Sequence, residues 1–134
     1  KQANKEFDAI AEKELSAEEL NNLCWDKALA NVALDRAIKD CDRSLAMADG
    51  RAARDSKAMV LLRQSRLEEA IAQFDLALKD GAVAASLYGR SLAYARKGDQ
   101  ARSDADAEEA LKLAPNLERY YSQYGLVRKQ APAN

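Results

Sequence analysis

Residues 67–78 read LEEAIAQFDLAL, and this stretch decides the fold because part of it recurs along the chain. Its residues 70–74 (AIAQF) align with residues 37–41 (AIKDC) and residues 103–107 (SDADA), and each block starts 33 residues after the previous one. Within the stretch, small and apolar residues recur at the spacing of one helical stripe. A fixed period of this length predicts three copies of one helical unit.

Turn and cap residues divide each copy into two helices. Ser16 and Ser65 each stand three residues before a glutamate, the spacing of a capping box that opens a helix. Asp80-Gly81 and Gly98-Asp99 carry the glycine that ends or turns a helix, and Pro115 breaks the chain. We predict no strands and eight helices, near residues 3–14, 17–30, 34–47, 52–63, 66–79, 84–97, 100–113 and 117–128.

The sequence resembles the tetratricopeptide-repeat (TPR) family over about Leu20 to Asn116. The family's small residue, aromatic, turn, alanine and proline positions fall on Ser91, Tyr94, Gly98-Asp99, Ala110 and Pro115. The resemblance, closest to bacterial TPR scaffold proteins, implies an all-α fold: a right-handed superhelical stack of three TPR-like helix pairs with flanking N- and C-terminal helices. The period departs from the usual length of about 34 residues.

The predicted organisation is one domain with two flanking helices. The parts are residues 1–16 as the N-terminal flanking helix, 17–116 as three repeats (about 17–50, 51–83 and 84–116), 117–128 as the C-terminal capping helix and 129–134 as a frayed tail. In the capping helix, Tyr120 and Tyr124 lie one turn apart and are expected to dock on the third copy. Trp25 is read as a core residue, with an exposed anchor for a partner as the alternative.

Composition excludes several classes of function. The chain has 21 basic and 22 acidic residues, so no net field attracts nucleic acid. The longest apolar run is residues 58–62, which predicts no membrane insertion. Because histidine is absent and the five glycines are isolated, we predict no catalysis, no metal and no cofactor.

The resemblance implies that the first helix of each pair lines a concave groove for a partner. The 33-residue shift gives the groove residues as Asn22, Asp55 and Tyr88, then Asp26, Met59 and Leu92, then Arg63 and Arg96. Apolar members would form its floor, and the arginines either grip acidic groups or merely solvate the rim. The expected function is a non-catalytic scaffold that binds a peptide or helical segment of a partner protein. The alternative is a structural or self-association module, a spacer or dimerisation end that forms a homo-oligomer.

Two cysteines, Cys24 and Cys41, fall on facing helices of the first copy. They could form one disulfide, which would suit an oxidising compartment such as the bacterial periplasm. The alternative is two buried thiols in a reducing cytoplasm, and the sequence leaves both open.

Overall fold

The computed structural model describes residues 15–129. This part of the chain forms helices and no strands, which confirms the all-α prediction. The helices are α1 (Ala17–Ala30), α2 (Leu34–Met47), α3 (Arg51–Arg63), α4 (Leu67–Ala77), α5 (Ala84–Lys97), α6 (Gln100–Leu113) and α7 (Leu117–Ser122). The predicted helix at 3–14 and the tail from residue 130 onward lie outside the described residues.

The helices pack in pairs along the chain. Helix α1 packs on α2, α3 on α4 and α5 on α6. The first helices of the pairs also contact one another in order, α1 with α3 and α3 with α5, and each second helix contacts the first helix of the next pair. Helix α7 contacts α5 and α6. One continuous apolar core therefore runs through all three pairs.

The apolar stripe of α4 sets how the second and third pairs meet. Ala70, Phe74 and Ala77 are all buried, with at most 1% of each residue exposed. The Phe74 ring reaches across to α5, where Gly89 leaves room for it. A Cβ added at Gly89 would lie 2.4 Å from Cζ of Phe74, so only glycine allows this close approach.

One of the two predicted capping boxes is present. Glu19 N donates to Ser16 Oγ at 3.1 Å and Ser16 N donates to Glu19 Oε1 at 3.0 Å, which confirms the box that opens α1. The box at Ser65 is wrong. Ser65 adopts φ +61°, and its N–H bonds back to Leu62 O to close α3. A residue held in this left-handed conformation cannot take the extended backbone of an N-cap.

All three first helices end with the same left-handed motif. Asn31, Ser65 and Gly98 have φ values of +57°, +61° and +88°, and each is followed by a residue whose N–H bonds back into the last turn. This is the Schellman arrangement, in which glycine is the preferred residue at the left-handed position and asparagine is also tolerated. It explains why the first turn needs no glycine. Helix α4 ends at Ala77, before the Asp80-Gly81 stop that the sequence predicted.

The last helix is shorter than predicted. It ends at Ser122 and does not continue to Arg128, because Gly125 takes φ +76° and reverses the chain. The prediction that Tyr120 and Tyr124 dock is also wrong, since 40% and 39% of these residues are exposed. Tyr121, which lies between them, is fully buried.

None of the helices in residues 15–129 combines the length and the apolar character of a membrane-spanning segment.

Candidate binding surface on the first helices

The predicted groove residues lie on three neighbouring helices. Helix α1 carries Asn22 and Asp26, helix α3 carries Asp55, Met59 and Arg63, and helix α5 carries Tyr88, Leu92 and Arg96. Because α3 contacts both α1 and α5, the structure brings these residues onto adjacent helices. Exposure divides the set. Asn22 and Asp26 are exposed, whereas Met59, Tyr88 and Leu92 have at most 1% of their surface exposed and belong to the core.

The end of the chain covers part of this surface. We use C-terminal segment for residues 117–129 and first-helix face for the surface of α1, α3 and α5 that it contacts. The Tyr121 ring lies 5.4 Å from that of Tyr88 on α5 and 6.1 Å from that of Trp25 on α1, measured between ring centres. Arg63 Nη2 on α3 donates to Tyr124 O at 2.8 Å. The segment therefore touches the first helix of every pair.

Gly125 positions the two buried side chains of the segment. Its left-handed backbone allows Gly125 N to donate to Ser122 O at 3.0 Å and Leu126 N to donate to Tyr121 O at 3.1 Å. In this motif the residue after the glycine returns to the last helical turn and packs on it. Tyr121 and Leu126 are both 0% exposed and join the same core. The segment thus presents the Tyr121 ring to the first-helix face and buries Leu126 in the same core.

Trp25 packs against the core but is only partly buried. Its one described aromatic partner is Tyr121, so the ring supports the segment as well as the first pair. The sequence left two readings for Trp25, a core residue and an anchor for a partner. Its position combines features of both, because the ring is half in the core and faces the segment.

The two predicted groove arginines bind main-chain carbonyls. Arg63 donates from Nε to Ala28 O and from Nη2 to Leu29 O, both at 2.8 Å. Arg96 donates from Nη1 to Leu62 O at 3.3 Å. These contacts obey the 33-residue shift, since Leu62 corresponds to Leu29 and Arg96 to Arg63. Each guanidinium therefore stabilises the carbonyl end of the preceding first helix, where the helix dipole favours a cation.

Burial lowers the pKa of both arginines, and the charge of Arg96 lowers that of Arg63 further. Arg63 donates hydrogen bonds to three carbonyls. Arg96 differs because its Nε is buried and has no hydrogen-bond partner. It lines a cavity of about 380 Å³ together with Ser65, Leu67, Ala95 and Arg128. A donor next to the segment is therefore left unused.

A buried acid lies beneath the segment. Asp55 is 8% exposed, and Ser86 Oγ donates to its Oδ1 at 2.9 Å. Burial raises the pKa of Asp55 to about 6, although the bond from Ser86 acts in the opposite direction. Burial likewise raises the pKa of Tyr121, and the charge of Asp55 adds to that increase. The Tyr121 hydroxyl has no hydrogen-bond partner.

Cys24 and Cys41 are joined by a disulfide in the structure, with their Cα atoms 5.5 Å apart. Both residues are 0% exposed. The bond links α1 to α2 inside the first pair, where the sequence placed the two residues on facing helices. It fixes the helix that carries Trp25 and thereby one wall of the first-helix face.

The sequence analysis chose Tyr120 and Tyr124 as the docking pair of this segment, whereas the buried pair is Tyr121 and Leu126. A signal for them exists. Tyr121 stands four residues before Gly125 and Leu126 directly follows it, which is the spacing of the apolar pair in a glycine-ended helix. Within residues 15–129, no cluster of acidic, cysteine or histidine side chains could hold a metal ion.

Comparison with known proteins identifies no relative. No family model matches the sequence, and no curated protein or solved structure does either. The arrangement of helices, arginines and the C-terminal segment is therefore the basis for any statement about function.

Proposed function

We propose that this chain is a non-catalytic scaffold of the TPR type whose first-helix face binds a peptide or helical segment of a partner protein. One observation carries the proposal. The face already binds a segment of polypeptide, the chain's own residues 117–129, through the Tyr121 ring and a main-chain carbonyl, with Leu126 buried in the same core. A surface that holds such a segment in cis has the chemistry to hold one in trans.

Three features support a right-handed TPR-type stack. The helices form consecutive pairs, and the first helices also contact one another. Each first helix ends in the same left-handed motif. The arginine-to-carbonyl contact recurs with the 33-residue shift. A repeated contact of this kind is what stacked copies of one unit produce.

The bound segment also suggests what a partner would offer. Its anchors are one aromatic and one leucine side chain, and Arg63 donates to a main-chain carbonyl of the segment and not to one of its side chains. The unused Nε of Arg96 supports an acidic residue flanking the apolar anchor. The disulfide supports an oxidising compartment such as the bacterial periplasm.

A variant whose own C-terminal segment can no longer occupy the first-helix face, called the vacated variant below, tests the proposal. Full-length Tyr121→Ala/Leu126→Ala removes both anchors of the segment, and the matched control Tyr120→Ala/Tyr124→Ala removes two exposed rings. We expect a fluorescent peptide of residues 116–129 to bind the first variant, as measured by anisotropy, and to bind the control at least tenfold more weakly. Equal binding to both variants, or none to a folded first variant, would contradict the proposal.

Sedimentation velocity on the same samples tests the alternative of self-association. A dimer that grows with protein concentration in the wild type and disappears in Tyr121→Ala/Leu126→Ala would mean that the segment binds a second copy. The chain would then act as a dimerisation module.

A further inference from the structure

The chain's own C-terminal segment fits the first-helix face imperfectly. Its anchor Tyr121 is 0% exposed, yet the hydroxyl has no hydrogen-bond partner. The acid nearby, Asp55, is engaged by Ser86 and does not pair with the hydroxyl. A buried hydroxyl that loses its water without gaining a partner weakens an interaction.

The remaining contacts of the segment are easily exchanged. Arg63 donates to a main-chain carbonyl, which any polypeptide can supply. Arg128 donates to Ser103 Oγ at 3.2 Å and pairs with Asp104 at 2.6 Å, but Asp104 is exposed, so water and salt screen the ion pair. The three helix pairs also contact one another directly, and not only through the segment. The segment can therefore leave without separating the pairs.

We infer that the first-helix face is the site for a helix end of a partner protein that carries phenylalanine at the place of Tyr121 and leucine at the place of Leu126. The chain's own C-terminal segment is its exchangeable resident. This inference rests on the proposed function and adds to it the identity of the anchors and the competition with the segment.

The geometry defines how the partner would be recognised. Its phenylalanine ring would lie between Trp25 and Tyr88, where Tyr121 lies now. A glycine one position before the leucine would return the leucine to the ring, as Gly125 does for Leu126. Phenylalanine fills the same space as tyrosine and buries no unpaired hydroxyl. The partner thus binds more favourably at the position where the chain's own segment buries an unpaired hydroxyl.

Two peptides of residues 116–129 test the preference, one with the natural tyrosine at position 121 and one with phenylalanine there. Both are titrated into full-length Tyr121→Ala/Leu126→Ala and into wild type. We expect the phenylalanine peptide to bind the vacated variant roughly tenfold more tightly than the tyrosine peptide. Wild type should bind both more weakly, because its own segment is held at a high effective concentration.

The full chain with Tyr121→Phe provides the reciprocal measurement. The same substitution now strengthens the resident, so the apparent affinity of this variant for the phenylalanine peptide should fall roughly tenfold below that of wild type. The two effects have opposite signs and one cause. A side chain that only stabilised the fold would not make a competitor bind more weakly by the same factor.

The outcomes separate the two levels of the argument. If the tyrosine peptide binds the vacated variant as tightly as the phenylalanine peptide, the inference is overturned and the proposed function stands. If neither peptide binds the vacated variant while circular dichroism shows that it is folded, both are overturned. If that variant does not fold, Tyr121→Phe decides alone, and an unchanged affinity relative to wild type overturns the inference.

Discussion

Replacing Asp55 with asparagine should remove most of the dependence of stability on pH between about pH 4 and pH 6. Asp55 is buried on α3, with 8% of its surface exposed, and its only described hydrogen bond comes from Ser86 Oγ at 2.9 Å. Asparagine has the same shape, and its amide oxygen can accept the same bond. The substitution therefore removes the ionisation of residue 55 and keeps the bond from Ser86, while the donors of its NH2 group add an effect that does not vary with pH.

The direction in which stability changes with pH follows from the raised pKa of Asp55. Burial raises the pKa of Asp55 from 3.8 to about 6, so the folded chain binds this proton more tightly than the unfolded chain does. The favourable contribution of the protonated acid is complete below about pH 4 and is lost as the pH rises through about 6. A shift of roughly two units corresponds to about 3 kcal/mol. Relative to wild type, Asp55→Asn should gain about that much free energy of unfolding between pH 4 and pH 7.

Urea unfolding at several pH values from 4 to 8, followed by circular dichroism, measures the difference. Asp80→Asn serves as the control because Asp80 is exposed in the connection after α4. It removes one acidic charge and no buried one, so its difference from wild type should vary little with pH. A difference for Asp55→Asn that is equally flat would refute the reasoning, since the carboxylate would then be hydrated in the folded chain.

Four further outcomes follow from contacts in the core and between helices. Phe74→Ala should lower the free energy of unfolding by roughly 3–5 kcal/mol in urea titrations, and a loss below about 1 kcal/mol would contradict its burial. Gly89→Ala should destabilise the wild type by about 1–3 kcal/mol because its Cβ meets the Phe74 ring, but stabilise Phe74→Ala by up to about 1 kcal/mol; additive effects would refute this coupling. Reduction of the disulfide should lower the free energy of unfolding by roughly 3 kcal/mol, given its sequence separation of 17, and an unchanged urea midpoint would contradict this. Arg63→Lys should lower the melting temperature more than the matched Arg96→Lys, because Arg63 binds three carbonyls and Arg96 one, and equal losses would refute that difference.

The helices were predictable where local signals agree with packing. The predicted ranges 17–30, 34–47, 84–97 and 100–113 coincide with the helices that form. At the start of α1 the capping box at Ser16 sets the boundary, and at the end of α5 the boundary is set by Gly98. The 33-residue period also predicted which arginines are equivalent. These signals involve neighbouring residues or a repeated spacing, so one sequence suffices to detect them.

The occupied surface was not predictable in the same way. The repeat shift placed Tyr88 on a first helix but could not show what covers it. That depends on whether the last helix continues or turns back, which Gly125 decides through its backbone conformation. The predicted capping box at Ser65 was wrong for a related reason. Ser65 has the spacing of a capping box, but its conformation is set by the bond that closes α3. The end of the preceding helix therefore overrode the local capping signal.

The arginine contacts bear on the proposed exchange, because they hold the first helices together independently of the C-terminal segment. Arg63 and Arg96 join each first helix to the carbonyl end of the one before it, so main-chain contacts help to hold the stack in place. When the C-terminal segment leaves, Arg63 loses its bond to Tyr124 but keeps those to Ala28 and Leu29. The positions of Trp25 and Tyr88 would then change little, because the helices that carry them remain joined. In the proposed exchange, an incoming phenylalanine would therefore meet a site that is already formed, and its affinity would be limited mainly by the displacement of Tyr121.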